Sequence, residues 1–369
     1  MPGSQRDEIE ELYKLLTQLT SLKGISGRER EVREFVIDRL KESADEVKVD
    51  ALGNVIAVKK GNSKQKLMIA AHMDEIGLMV RHITEEGFIY FSPIGGWNNA
   101  ILPALRVWVK SFKGGWIPGV VGVKPPHLLN PEEREKAPQM EKLFIDIGAS
   151  SKEEVMQLGI NKGSPIVFDS ELKRMMNNRV TGKSLDDRSG LTVALKVFEE
   201  AEPGDVALVL AATSQEEVGL KGATVSAYSI NPDIALAIDV TTANDVPGVE
   251  EQDAVVKLGE GPTIKIVDGQ GGRGIIVSEK IIEKLTQVAL ERNIPHQVEV
   301  LPRGTTDATA IQLAREGIPA GVVSIPSRYL HSPVEMLDLN DLYYTKELVK
   351  AFYESITPEW IESVKTRIA

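Results

Sequence analysis

Lys66-Leu67-Met68-Ile69-Ala70-Ala71-His72-Met73-Asp74 is the stretch that decides the fold. Its apolar residues follow one another without polar alternation, the pattern of a strand covered on both faces. The run then stops on a histidine and an acid, which packing alone does not require. Three other runs end in a comparable way. Val206–Ala211 leads into Gln215-Glu216-Glu217, Ile234–Ile238 leads into Asp239, and Ala320–Ile325 is followed by His331. Helical spacing separates them. One helix is expected from near Ser189 through Leu191, Ala194, Leu195 and Phe198; others span about 278–292, 307–315 and 340–355. Apolar strands alternating with helices predict an α/β fold, a mainly parallel sheet with helices on both faces.

Outward from this core, Ile9, Leu12, Leu15, Leu16 and Leu19 predict an amphipathic helix over 7–22. Ser26 and Glu29 have the spacing of a capping box, so a second helix is expected to start there and reach about Leu40. Short strands are expected at 47–49 and 54–58 around Ala51-Leu52-Gly53. From about Gly77 to Asn178 the texture changes to short β-runs broken by Gly and Pro. This predicts an inserted small all-β domain over 77–178, with residues 1–76 and 179–369 forming the catalytic domain. Trp97, Trp108 and Trp116 lie in the insert, and exposed rings there are expected to contact another subunit. Glu250-Glu251 and Gly269-Gln270-Gly271-Gly272-Arg273-Gly274 read as loops.

Composition removes several classes of function. Lys plus Arg total 43 against 54 Asp plus Glu, a net charge of −11, so neither nucleic acid nor an anionic membrane is the expected partner. The chain has no cysteine, which excludes disulfides, thiolate metal sites and a cysteine nucleophile. Absence of cysteine together with many charges fits a heat-adapted protein. The first residues carry no apolar signal segment. The longest uncharged run, 87–105, is interrupted by Pro93, Gly95, Gly96 and Pro103 and does not read as a membrane span. A cytoplasmic location is expected.

In an open parallel sheet the ligand crevice lies beyond the carboxyl ends of the strands. His72, Glu216-Glu217, Asp239 and His331 therefore point to one edge, and Asp186-Asp187 before a helix add two carboxylates. Two imidazoles with several carboxylates and no thiolate suit Zn²⁺, Co²⁺ or Mn²⁺. One side chain from each of the four strand ends and one Asp from the helix start make five ligands, which exceed what one open catalytic zinc needs and fit two cations sharing a carboxylate. Taken singly, each group has a plainer reading. Glu216-Glu217 could be a solvated helix start and Asp186-Asp187 an N-terminal cap. Asp239 resists such a reading, because a carboxylate on a buried strand needs a partner. The alternative reactions are glycoside hydrolysis by paired carboxylates, which two consecutive residues serve poorly, and metal-dependent removal of an acyl group from an amine.

Ala71-His72-Met73-Asp74-Glu75, Ser184-Leu185-Asp186-Asp187-Arg188, Gln215-Glu216-Glu217-Val218-Gly219, Ala237-Ile238-Asp239 and Tyr329-Leu330-His331-Ser332 resemble, in order, the motifs of the M42 (TET) metallo-aminopeptidases, with their zinc-exopeptidase-like fold. The resemblance covers nearly the whole chain. It implies two divalent cations per subunit, Zn²⁺ or Co²⁺, with Asp186 shared, His72 and Asp239 on one, and Glu217 and His331 on the other. It leaves room for a cis peptide between Asp186 and Asp187. It makes Glu216 the general base that takes a proton from a water activated by both cations, and Asp74 the partner of the free His72 nitrogen. The implied reaction removes N-terminal amino acids from short peptides. Asp307 and Arg273 are candidates for the substrate's side chain or amino end, with a helix N-cap and a solvated cation as their plainer readings. The implied assembly is a dodecamer, a hollow tetrahedron of dimers joined through the inserted domain.

Overall fold

The computed structural model describes residues 3–128, 130, 136–269, 273–300 and 304–365. The four apolar runs form adjacent parallel strands in the order Ala207–Thr213, Lys66–His72, Ile234–Thr242 and Ala320–Arg328. All seven residues of Ala207–Thr213 are buried, as a strand covered on both faces requires. Helices Gly3–Ser21, Leu185–Glu200 and Leu339–Ser355 pack together, and Lys221–Ile230 pairs with Asp307–Ile311. Leu12, Leu16 and Leu19 of the first helix are fully buried at the spacing their pattern predicts.

The sheet is mixed rather than mainly parallel, which corrects the sequence expectation. Val55–Lys59 runs antiparallel beside Ala207–Thr213 and carries Glu46–Val49 at the edge. On the other side Glu335–Asp338, Arg179–Gly182 and Lys173–Arg174 continue antiparallel, within a sheet of 12 strands among the described residues. The reason lies in the connections. The turn at 50–54 and the loop at 329–334 are too short for the crossover that a parallel pair needs.

Six strands between Gly77 and Phe168 close a separate antiparallel barrel. Leu78, Phe91, Val107, Val109, Ile145 and Ile166 fill it. Lys173–Arg174 joins the large sheet instead. The three indoles are not the exposed rings expected of a contact face. All are half-buried, and each ring nitrogen has an acceptor in the chain: Gly77 for Trp97, Asp169 for Trp108 and Glu31 for Trp116. The exposed apolar side chains on this side include Phe112, Val120, Met156 and Leu158. Among the described residues no helix is long and apolar enough to cross a membrane.

Candidate active site

His72 is the last residue of its strand, and its ring is held at both nitrogens. Nδ1 lies 3.0 Å from the Asp74 carbonyl oxygen, and Nε2 lies 3.0 Å from Asp186 Oδ1. His331 repeats the arrangement from the far side. Its Nδ1 is 3.0 Å from the Gly96 carbonyl oxygen, while Nε2 is 3.4 Å from Asp186 Oδ2 and 3.5 Å from Glu217 Oε2. A donating Nδ1–H on each ring leaves both Nε2 atoms aimed at one carboxylate. The Gly96 contact brings the barrel into the site. A side chain at Gly95 would collide first with Ile76 and then crowd Glu217, and one at Gly96 would press on the His331 ring, so the two glycines permit the approach.

Asp239 sits within its strand rather than at the end, because pairing with Ala320–Arg328 continues to Thr242. Possible ligand atoms of His72, Asp187 and Asp239 lie within 4.8 Å of one another, as do those of His72, Asp186 and Glu217. The sequence-predicted ligands His72, Asp186, Glu217, Asp239 and His331 are thus gathered, with Glu216 Oε2 4.0 Å from His72 Nε2. The peptide between Asp186 and Asp187 is cis.

Charge is concentrated here. Burial pushes Glu217 up to about 8, aided by the charge of Asp186. Burial also drives Glu216 and Asp239 well above the usual carboxylate range; Asp239 adds to the shift of Glu216, and Asp186 to that of Asp239. Burial acts in the same sense on Asp186, yet its hydrogen bonds to His331 and His72 hold it well below that range. Burial would lower His331, but Asp186 and Glu217 raise it to about 10. Among the described residues, Glu217 Oε1 is buried with no partner. So many buried acids with an orphaned oxygen, and imidazoles to complete the donor set, fit divalent cations of the zinc or cobalt kind.

Neighbouring residues fix the framework. Asp74 accepts from the Ser26 hydroxyl at 2.6 Å and from the Glu216 and Glu217 amides at 3.0 and 3.2 Å. Its carboxylate is 3.5 Å from His72 Nδ1, farther than its own carbonyl oxygen, so it orients the two glutamates more directly than the ring. The capping box does not form. Ser26 turns to Asp74, Glu29 Oε1 accepts from the Gly27 and Gln215 amides, and the helix starts at Arg30 without a side-chain cap. Buried tertiary donors and acceptors override the local pairing. Glu335 escaped the sequence reading. Its Oε1 accepts from the His331 amide at 3.0 Å and its Oε2 from the Asp186 amide at 3.1 Å. The only cue was an acid in a short strand four residues after His331. Asp187 accepts from the Gly190 amide at 2.9 Å and the His72 amide at 3.3 Å.

A cavity of about 530 Å³ opens on this cluster, lined by Asp186, Glu216, Glu217, Asp239, His331 and the buried Lys265, among others. Asp307 is not among the lining residues. It is buried behind the site, accepting from the Thr213 hydroxyl at 2.5 Å, and burial raises it to about 6. Nor is it the helix N-cap, a position held by Thr306. Arg273 is exposed and does not line this cavity. Gln270, Gly271 and Gly272 of its loop lie outside the described residues.

The model of the M42 glutamyl aminopeptidase family matches residues 53–348. An aminopeptidase of the archaeon Desulfurococcus kamchatkensis shares 49% identity and superposes with a TM-score of 0.94, covering 98% of this chain and 99% of its own. The lysyl aminopeptidase of Pyrococcus furiosus is 38% identical over 94% of this chain and 98% of its own length. The TET1 peptidase of Pyrococcus horikoshii, which can assemble into a tetrahedron or a large octahedral shell, shares 36% identity with a TM-score of 0.81, covering 92% of this chain and 98% of its own.

Proposed function

The chain belongs to the M42 glutamyl aminopeptidase family, and on that premise we propose that it removes N-terminal amino acids from short peptides at a centre of two divalent cations. His72 and Asp239 would hold one cation, Glu217 and His331 the other, with Asp186 between them. The observation that carries this reading is the division of Asp186, with Oδ1 turned to His72 and Oδ2 to His331. When bound, zinc or cobalt supplies Lewis acidity to the scissile carbonyl and to the attacking water.

The chain's own groups manage the protons. Glu216 has a raised proton affinity and lines the cavity, the properties of a group that takes a proton from water and hands it to the departing amine nitrogen. Asp74 holds the Glu216 and Glu217 amides, so the two neighbouring side chains keep different tasks. The surplus of carboxylates suits the free α-ammonium of a peptide, which limits cleavage to the first bond. Asp307 would support the wall behind the site through Thr213. In assembly, the barrel of the 77–178 insert would join two copies, and dimers would build a dodecamer.

The test is a panel of aminoacyl chromogenic amides, offered free and N-acetylated, with and without a chelator. Cleavage of the free amides alone, abolished by chelation, is expected. Cleavage of acetylated substrates would favour a deacylase, and undiminished turnover after complete demetallation would end the proposal.

A further inference from the structure

A second cavity, of about 540 Å³, lies on the other side of His331. The barrel loop supplies Trp97, Asn98 and Ile101, and the loop after Ala320–Arg328 supplies Tyr329 and Leu330. Leu330 and His331 also line the catalytic cavity, so the two spaces share a wall. The shared wall has an unusual backbone. Tyr329 and His331 both have φ of +59°, in the left-handed region that such residues rarely adopt, and Leu330 lies between them. Trp97 is fixed on the opposite side, its indole nitrogen donating to the Gly77 and Ile94 carbonyls and its ring 4.6 Å from that of Phe168. Tyr329 is half exposed.

Charge divides the two spaces. The catalytic cavity carries Asp186, Glu216, Glu217 and Asp239, whereas among the described residues no Asp, Glu, Lys or Arg lines the second one, His331 being common to both. A peptide's α-ammonium belongs among the carboxylates, so the chain beyond the scissile bond leaves past His331. We propose that the second cavity is the subsite for the side chain of the peptide's second residue, and that it selects an apolar or aromatic one. Trp97, Ile101, Tyr329 and Leu330 give such a side chain apolar contact, and an acidic side chain would be desolvated there without a free donor, because both ring nitrogens of His331 are already engaged by Gly96, Asp186 and Glu217. This inference rests on the aminopeptidase reading of the main site.

The test uses the metal-loaded enzyme and whichever first residue it cleaves fastest. Substrates are the plain aminoacyl carboxamide and the dipeptides with Gly, Phe or Asp second. Hydrolysis of the carboxamide tests the aminopeptidase reading by itself. The subsite predicts kcat/KM about tenfold higher for Phe than for Gly in second place, mostly through KM, with Asp below Gly. In Ile101→Ala and Tyr329→Asn, the latter chosen because Asn tolerates the left-handed backbone, the Phe-to-Gly ratio is expected to fall within about twofold. Equal rates for all three dipeptides in the unaltered enzyme, or a ratio unmoved in both variants, would overturn the subsite while leaving the carboxamide result standing.

Discussion

The His331 amide nitrogen donates to Glu335 Oε1 at 3.0 Å, and the other oxygen of that carboxylate takes the Asp186 amide at 3.1 Å. One buried side chain thereby ties together two residues that approach the centre from different elements. Glu335→Gln keeps the shape but turns an amide donor toward one of those N–H groups. Outer partners of metal ligands typically change cation affinity by about 10–100-fold. A loss of that size is expected for at least one of two bound cations, measured by chelator competition. Unaltered affinity for both would show that Glu335 serves the fold alone.

Asp74 collects the Ser26 hydroxyl and the Glu216 and Glu217 amides. Ser26→Ala removes a single hydrogen bond and should cost about 1–3 kcal/mol in urea unfolding. Asp74→Ala strips three donors of their acceptor, so it should cost more and should also depress turnover by releasing Glu216. Equal stability losses in the two variants would contradict the central place given to Asp74.

The chelated protein should grow less stable as pH rises from about 5 to 9. Glu217 titrates near 8, and Asp341, raised by burial, near 7. Both lie above their ordinary carboxylate values, so the folded chain keeps protons that the unfolded chain has already released. Each such group lowers stability by about 1.4 kcal/mol per pH unit across its window. His331, raised to about 10, acts in the same direction, since its contribution is complete below the ordinary histidine value and fades toward 10. Saturating Zn²⁺ should flatten the slope, because ligands bind metal in their deprotonated form. Thermal midpoints with and without cation measure this; a chelated protein more stable at pH 9 than at pH 5 would refute it.

The exposed apolar side chains of the barrel, Phe112 and Val120, are the positions at which a subunit contact is tested. Phe112→Asp with Val120→Asp should lower the particle mass in light scattering, because two buried like charges oppose association. An unchanged mass would remove the barrel from the assembly.

Much of this was legible in order along the chain. His72, Glu216, Glu217, Asp239 and His331 were found because each follows or ends a continuously apolar run, and a parallel sheet brings such positions to one edge. Asp186 was found through its place before a helix. The framework around them was not legible. Glu335 binds backbone amides, which every residue offers, so no spacing marks it; Asp74 is marked by its place after His72, but its hold on the Glu216 and Glu217 amides is not. Ser26 and Glu29 had the right separation for a capping box, but Asp74 and the Gln215 amide offered partners from distant sequence. The mixed sheet followed from loop lengths at 50–54 and 329–334, and the number of tryptophans in the insert said nothing about which way the indoles face.

In the proposed reaction Glu216 carries the proton at a two-cation centre. Its most direct measurement is turnover of a free aminoacyl amide by Glu216→Gln together with the number of cations bound. Two cations retained per chain and turnover lower by at least about a hundredfold are expected; two cations retained with full activity would contradict it.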